Sequence, residues 1–123
     1  MKRFVIGDIH GAHKALVQCL ERSMFDYESD LLICLGDVCD GWPETREVID
    51  QLLRIKNLVL ILGNHDHWLL EFARTQEPDA TWLRTGGDNT LKSYGNSIPK
   101  THKELLENAV LYYELDNKFF VHA

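Results

Sequence analysis

Hydrophobic and polar positions in the first half of the chain repeat one pattern. A short apolar run ends in glycine and then Asp or Asn, a loop with histidine or glycine follows, and a segment of helical spacing comes next. The runs are Phe4-Val5-Ile6-Gly7-Asp8, Leu31-Leu32-Ile33-Cys34-Leu35-Gly36-Asp37 and Leu58-Val59-Leu60-Ile61-Leu62-Gly63-Asn64. Continuous apolar runs of this length predict strands buried on both faces of a parallel sheet. Between them, Ala12, Ala15, Leu16, Cys19 and Leu20 share one helical face. Thr45, Val48, Ile49, Leu52 and Leu53 share another, with Pro43 suited to a helix start. Strands alternating with helices predict βαβ units with right-handed crossovers. Loops that follow parallel strands leave the sheet at one end, where ligands bind in such folds. Asp8, His10, Asp37, Asp40, Asn64 and His65 should therefore gather in one region.

The second half is less regular. His67 to Phe72 predicts a short helix, and Asp79 to Asn96 reads as a loop-rich excursion. Ile98-Pro99 marks a break, and Thr101 and Glu104 have capping-box spacing before a helix near Leu105 to Ala109. Val110 to Leu115 and Lys118 to His122 predict two strands joined by Asp116-Asn117 as a hairpin.

Composition narrows the function classes. The chain has 123 residues, enough for one domain, and a net charge of −6. With no basic stripe to displace counterions, long nucleic acid is not an expected partner. A phosphate-bearing substrate stays compatible, because bound cations invert the local charge. The longest aliphatic run, Leu58 to Leu62, is too short to cross a bilayer, so no membrane association is expected. Gly7, Asp8 and His10 interrupt the apolar stretch that a secretory signal would need. Cys19, Cys34 and Cys39 cannot all pair and lack zinc-finger spacing, which points to a reducing, cytoplasmic setting. Cys34 reads as a buried small hydrophobe, and packing is the first reading of Cys39 too.

The strand ends carry the chemistry. Asp8 and His10 form an Asp-x-His pair able to face one metal ion, and such a donor set suits Mn, Fe or Zn better than Ca or Mg. Alone, that pair reads more simply as a helix cap beside a surface histidine. Asp37 offers two oxygens that can bridge two ions, Asn64 a neutral amide oxygen, and His122 a nitrogen at the end of the last strand. There is no GxxxxGK[ST] and no GxGxxG, which disfavours a P-loop or dinucleotide domain.

Together these residues form a recognisable set. Gly7-Asp8-Ile9-His10-Gly11, Gly36-Asp37-Val38-Cys39-Asp40-Gly41 and Gly63-Asn64-His65-Asp66 resemble the GDxHG, GDxxDRG and GNH[ED] motifs of calcineurin-like metallophosphoesterases. Val121-His122-Ala123 resembles the start of that family's next motif. Trp82-Leu83, Gly86-Gly87, Thr90 and Ser93-Tyr94 resemble its bacterial branch, the PrpA/PrpB-like serine/threonine phosphatases and symmetrical diadenosine tetraphosphate hydrolases. The resemblance implies a dinuclear phosphoester hydrolase with two divalent ions, manganese first and iron or zinc as alternatives. It implies Asp8 and His10 on one ion, Asp37 bridging, and Asn64 and His122 on the other. Asn64 would also contact substrate. A hydroxide activated by the two ions would attack phosphorus, with His65 as general acid oriented by Asp40, and Asp66 structural. The implied substrate is a phosphorylated protein. The alternatives are diadenosine tetraphosphate or another nucleotide, or no turnover at all from an inactive metal-binding fragment.

Two departures stand out. The arginine expected after the second Asp of GDxxDRG is Gly41, followed by Trp42. Arg46, one turn into the next helix, is the candidate replacement for its phosphate contact. The family is a four-layer α/β/β/α sandwich with a further metal histidine beyond the position where this chain stops. Residues 1–123 therefore read as the N-terminal part of one metallophosphoesterase domain, cut after the Val-His-Ala motif, with an apolar sheet face open to self-association.

Overall fold

The computed structural model describes residues 1–95 and 97–123. Three parallel strands, β1 (Arg3–Ile6), β2 (Leu31–Cys34) and β3 (Asn57–Leu60), lie in sequence order. Their register is level: Ile6 pairs with Cys34, and Cys34 with Leu60. The three following loops therefore start from one edge of the sheet, and it is this register that builds the site.

Helix α1 (His13–Arg22) connects β1 to β2, and α2 (Thr45–Leu53) connects β2 to β3. Crossovers of one hand between neighbouring strands put both helices on one face. There Leu16, Leu20, Val48, Ile49 and Leu52 pack on Leu32, Cys34 and Leu60. On the other face Leu31, Ile33 and Ile61 pack against Tyr113, Leu115 and Phe120 of a hairpin. That hairpin is β4 (Tyr113–Leu115) and β5 (Lys118–Phe120), antiparallel. Its two-residue turn has positive φ at both Asp116 (51°) and Asn117 (61°), the tight turn that matches strand twist. Arg3 of β1 pairs with Asp116 and ties the turn to the sheet edge.

The expected parallel sheet is present, but only β2 is buried on both faces. In β1, Arg3 and Val5 are exposed while Phe4 and Ile6 turn inward, because β1 is an edge strand. For the same reason Ala15 and Cys19 of α1 are exposed rather than buried with Leu16 and Leu20. Leu53, at the end of α2, is exposed as well. Helix α2 starts at Thr45, so Pro43 precedes the cap.

The second half departs further from expectation. Helix α3 (Asn64–Thr75) starts three residues before His67 and runs beyond Phe72. The segment expected to be loop-rich is mostly helical: α4 (Ala80–Trp82), a wide turn over Leu83–Gly87, and α5 (Asp88–Tyr94). Its last residue in the sequence reading, Asn96, lies outside the described residues. Helix α6 (Lys100–Glu107) begins at Lys100, so Thr101 lies inside it and no side chain caps its start. Val110 is not in the hairpin; it bonds alongside Ile61 and extends the sheet past β3. Among the described residues, no helix is long and apolar enough to cross a membrane.

The three thiols occupy different environments. Cys34 and Cys39 are fully buried and Cys19 is exposed. Burial pushes the Cys34 thiol up to about 12 and raises Cys39 well above its ordinary value. Reaction needs an accessible thiolate. A thiol reagent at pH 8 should therefore label Cys19 alone in the native protein, and all three cysteines after unfolding. Native labelling of Cys34 or Cys39 at the rate of Cys19 would contradict this packing.

Candidate metal centre

The loop after β2 is bent into the site by backbone strain held in place. Gly36 has φ 103°, and a Cβ there would lie 2.7 Å from the Gly63 nitrogen, so the second and third loops touch only because glycine leaves the space. Asp37 (φ 57°), Asp40 (φ 72°) and His10 (φ 47°) also adopt left-handed backbone that non-glycine residues avoid. Such conformations persist where surrounding bonds over-determine them.

Asp66 supplies those bonds at Asp37, and the Thr45 and Thr90 hydroxyls take the Asp40 N–H. Asp66 is fully buried, and its carboxylate accepts from the backbone N–H of Asp37 (2.7 Å), Val38 (2.9 Å) and Gly63 (2.9 Å). The Cys39 thiol donates to it as well, at 3.5 Å. Burial raises the Asp66 carboxyl above the usual aspartate range, and the three backbone donors oppose that shift. The loop after β1 is fastened separately, with the N–H groups of Ile9 and His10 both donating to the Asp37 carbonyl.

This scaffold brings five expected ligands together. His10 Nε2 lies 3.5 Å from Asp8 Oδ2 and 3.7 Å from Asp37 Oδ2. His122 Nε2 lies 3.2 Å from the same Asp37 oxygen and 3.1 Å from Asn64 Oδ1. Asp37 Oδ2 thus stands between two imidazoles, with Asp8 on one side and Asn64 on the other. Ligand atoms of Asp8, Asp37 and His122 fall within 4.8 Å of one another. The remaining Asp37 oxygen accepts the His65 N–H at 3.0 Å.

The histidine tautomers decide what this cluster can hold. His10 Nδ1 bonds the Cys39 carbonyl and His122 Nδ1 the Leu35 carbonyl, each at 2.9 Å. A carbonyl only accepts, so each Nδ1 carries a proton, and each Nε2 faces carboxylate or amide oxygens. A cation seated among these atoms would meet nitrogen and oxygen donors on several sides. Imidazole, carboxylate and amide donors fit transition-metal ions, and the carbonyl contacts to Nδ1 are the usual outer support of metal-bound histidine.

His65 stands beside the cluster. Its Nδ1–H donates to Asp40 Oδ2 at 2.7 Å, and its ring meets His10 edge-to-face at 5.0 Å between centroids. Asp40 is fully buried; it also accepts from Trp82 Nε1 (2.7 Å) and from the Thr90 hydroxyl (2.6 Å). Trp82 and Thr90 had drawn notice in the sequence only as part of a resemblance, with no role. The missed signal was the need of a buried carboxylate for several donors.

Arg46 is not brought into this group. It is exposed on the first turn of α2, and among the described residues its guanidinium makes no ion pair. Gly41 leaves a cleft between His10, Asp40, His65, Thr85 and the exposed ring of Trp42.

Comparison with known proteins agrees with this geometry. The model of the calcineurin-like phosphoesterase family matches residues 1–122, and the chain belongs to that metal-dependent family. Serine/threonine-protein phosphatase 1 of Salmonella typhimurium is 36% identical over 85 residues, 69% of this chain and 38% of that protein. A symmetrical bis(5'-nucleosyl)-tetraphosphatase of Coxiella burnetii is 32% identical over 82 residues, 67% of this chain and 28% of that protein. A crystal structure named provisionally as a diadenosine tetraphosphatase aligns at a TM-score of 0.75 with 26% identity, covering 97% of this chain and 48% of that one. The chain thus spans less than half the length of each of these relatives.

Asp66→Asn tests the scaffold. The amide places an N–H₂ among N–H donors and should cost about 2–3 kcal/mol by chemical denaturation, with no metal present. A loss within about 0.5 kcal/mol, the range of an ordinary surface substitution, would show that Asp66 does not hold the loops.

Proposed function

We propose that this domain is a phosphoester hydrolase that uses two divalent ions, one held by Asp8, His10 and Asp37 and the other by Asp37, Asn64 and His122. The observation that carries this reading is Asp37 Oδ2 set between the Nε2 atoms of two imidazoles, each held from behind through Nδ1 by a backbone carbonyl. When bound, such ions neutralise phosphoryl oxygens and lower the pKa of water. Manganese is the first choice, with iron or zinc next, and the cytoplasm is the proposed setting.

The protein's own groups do the rest. Asp40 fixes the His65 ring with its proton on Nδ1. His65 Nε2 is then the atom that hands a proton to the departing oxygen as general acid. Asn64, at the start of α3, offers its amide to the ion and to substrate together. The preferred substrate is a protein phosphoserine or phosphothreonine, supported by the identity to bacterial serine/threonine phosphatases. Diadenosine tetraphosphate is the second reading, supported by the tetraphosphatase relatives. An inactive metal-binding fragment is the third, and assay separates it from both.

With saturating Mn²⁺ the purified chain should hydrolyse 4-nitrophenyl phosphate, and activity should vanish with chelator. Asp37→Asn should abolish it, and on a phosphoserine peptide, whose leaving alkoxide needs the proton, His65→Asn should lower kcat about 100-fold or more. Silence at saturating Mn²⁺ would establish the inactive-fragment reading. In the same assay, Arg46→Ala should raise KM if Arg46 replaces the missing arginine; an unchanged KM removes it from the site.

The hairpin covers Leu31, Ile33 and Ile61 on the sheet face expected to be open, so we propose self-association instead through the apolar surface of the hairpin and the residues leading into it. Leu111, Tyr112 and Phe119 are exposed, and Tyr112 stacks on Phe119 across the two arms at 5.3 Å between centroids. Large exposed apolar patches mark interaction surfaces. Light scattering should show a mass above the monomer at micromolar concentration; a monodisperse monomer would end this proposal.

A further inference from the structure

We propose that Trp82 and Thr90 are positioning residues for the leaving-group acid, locking the Asp40 carboxylate so that His65 is held at one place and angle. This rests on the role of His65 given above and adds two residues to which no role has been assigned.

The contacts are specific to each oxygen. Thr90 Oγ1 donates to Asp40 Oδ1 at 2.6 Å, and Trp82 Nε1 donates to Oδ2 at 2.7 Å, beside His65 Nδ1 at 2.7 Å. Bound to His65 alone, the carboxylate could turn about its own bond and carry the ring with it. A second donor on each side removes that freedom. Thr90 also closes a ring, because its oxygen accepts the Asp40 backbone N–H at 2.9 Å while its hydroxyl donates to the same residue's side chain. Thr45 supports it from α2, with hydroxyl oxygens 3.1 Å apart. Asp40, Trp82, Thr90 and Thr45 are all buried, so water cannot substitute for a lost donor among them.

The local backbone is shaped to make this approach. Gly86 has φ 112°, and a Cβ there would meet the Gly41 nitrogen at 2.7 Å and Asp40 Cβ at 3.1 Å. A Cβ on Gly87 would strike the Trp82 ring at 2.5 Å. The two glycines let the wide turn press against Asp40 and let the indole lie flat beneath the turn. That explains helical structure where the sequence suggests a loop: α4 and α5 deliver one donor each to a single carboxylate 42 and 50 residues away.

If Thr90 and Trp82 act through His65, their loss falls on proton donation. A poor leaving group such as the serine alkoxide needs the proton, whereas 4-nitrophenolate leaves without it. Thr90→Val keeps the shape and removes the hydroxyl. With the Mn²⁺-loaded protein, it should lower kcat on a phosphoserine peptide about tenfold or more. On 4-nitrophenyl phosphate the loss should stay within about threefold, with KM little changed on either ester. Thr90→Ser should restore the wild-type ratio. Equal losses on the two esters, or no rescue by serine, overturn the proposal in favour of a packing role. A second readout needs neither metal nor turnover: the Trp82 indole N–H should exchange slowly in the wild type and faster in Asp40→Ala. Exchange at the rate of a free indole overturns the clamp. A wild type silent on both esters overturns the parent reading instead, and slow indole exchange then shows that the clamp itself is not what failed.

Discussion

One buried carboxylate sets the geometry of everything else. Asp66, in the first turn of α3, gathers the N–H groups of Gly63, Asp37 and Val38, and so welds the loop after β3 to the loop after β2. Left-handed backbone at Asp37 and Asp40 is unfavourable alone; these bonds sustain it at Asp37, and the Thr90 and Thr45 hydroxyls, which take the Asp40 N–H, sustain it at Asp40. In return, the strain points Asp37 at the histidines and Asp40 toward α4 and α5. The link runs from a polar group that must be satisfied when buried to the placement of charged groups a few ångströms away.

Above that weld, Asp37 is shared. One of its oxygens faces His10 and His122, and the other accepts the His65 N–H. Backbone carbonyls of Cys39 and Leu35 hold His10 and His122 from behind and keep a proton on each Nδ1. The result is a cluster of oxygen and nitrogen donors in an acidic protein, of the kinds that suit transition-metal ions. Gly41 stands beside it, where the family motif has arginine.

Much of this was legible beforehand, for a physical reason. Apolar runs are local signals, and three of them in register place their following loops together whatever lies between. Asp8, His10, Asp37, Asn64 and His122 could therefore be grouped from pattern and resemblance before any distance was known. The burial of β1 and α1 was not legible, because a run of letters does not say which strand lies at the edge. The segment from Asp79 to Tyr94 reads as loop for a different reason. Its helices are short and are organised by one carboxylate elsewhere in the chain, so they show little amphipathic period of their own.

By itself the sequence determined the alternation of strands and helices, the family, and the residue types at each strand end. These follow from local periodicity and from motifs a few residues long. Tertiary structure alone decided which oxygen of Asp37 is shared, which nitrogen each histidine presents, and that Trp82 and Thr90 converge on Asp40. Those outcomes depend on hydrogen bonds spanning 25 to 87 residues, with directions set by the packing of whole elements. No short stretch of sequence carries that information.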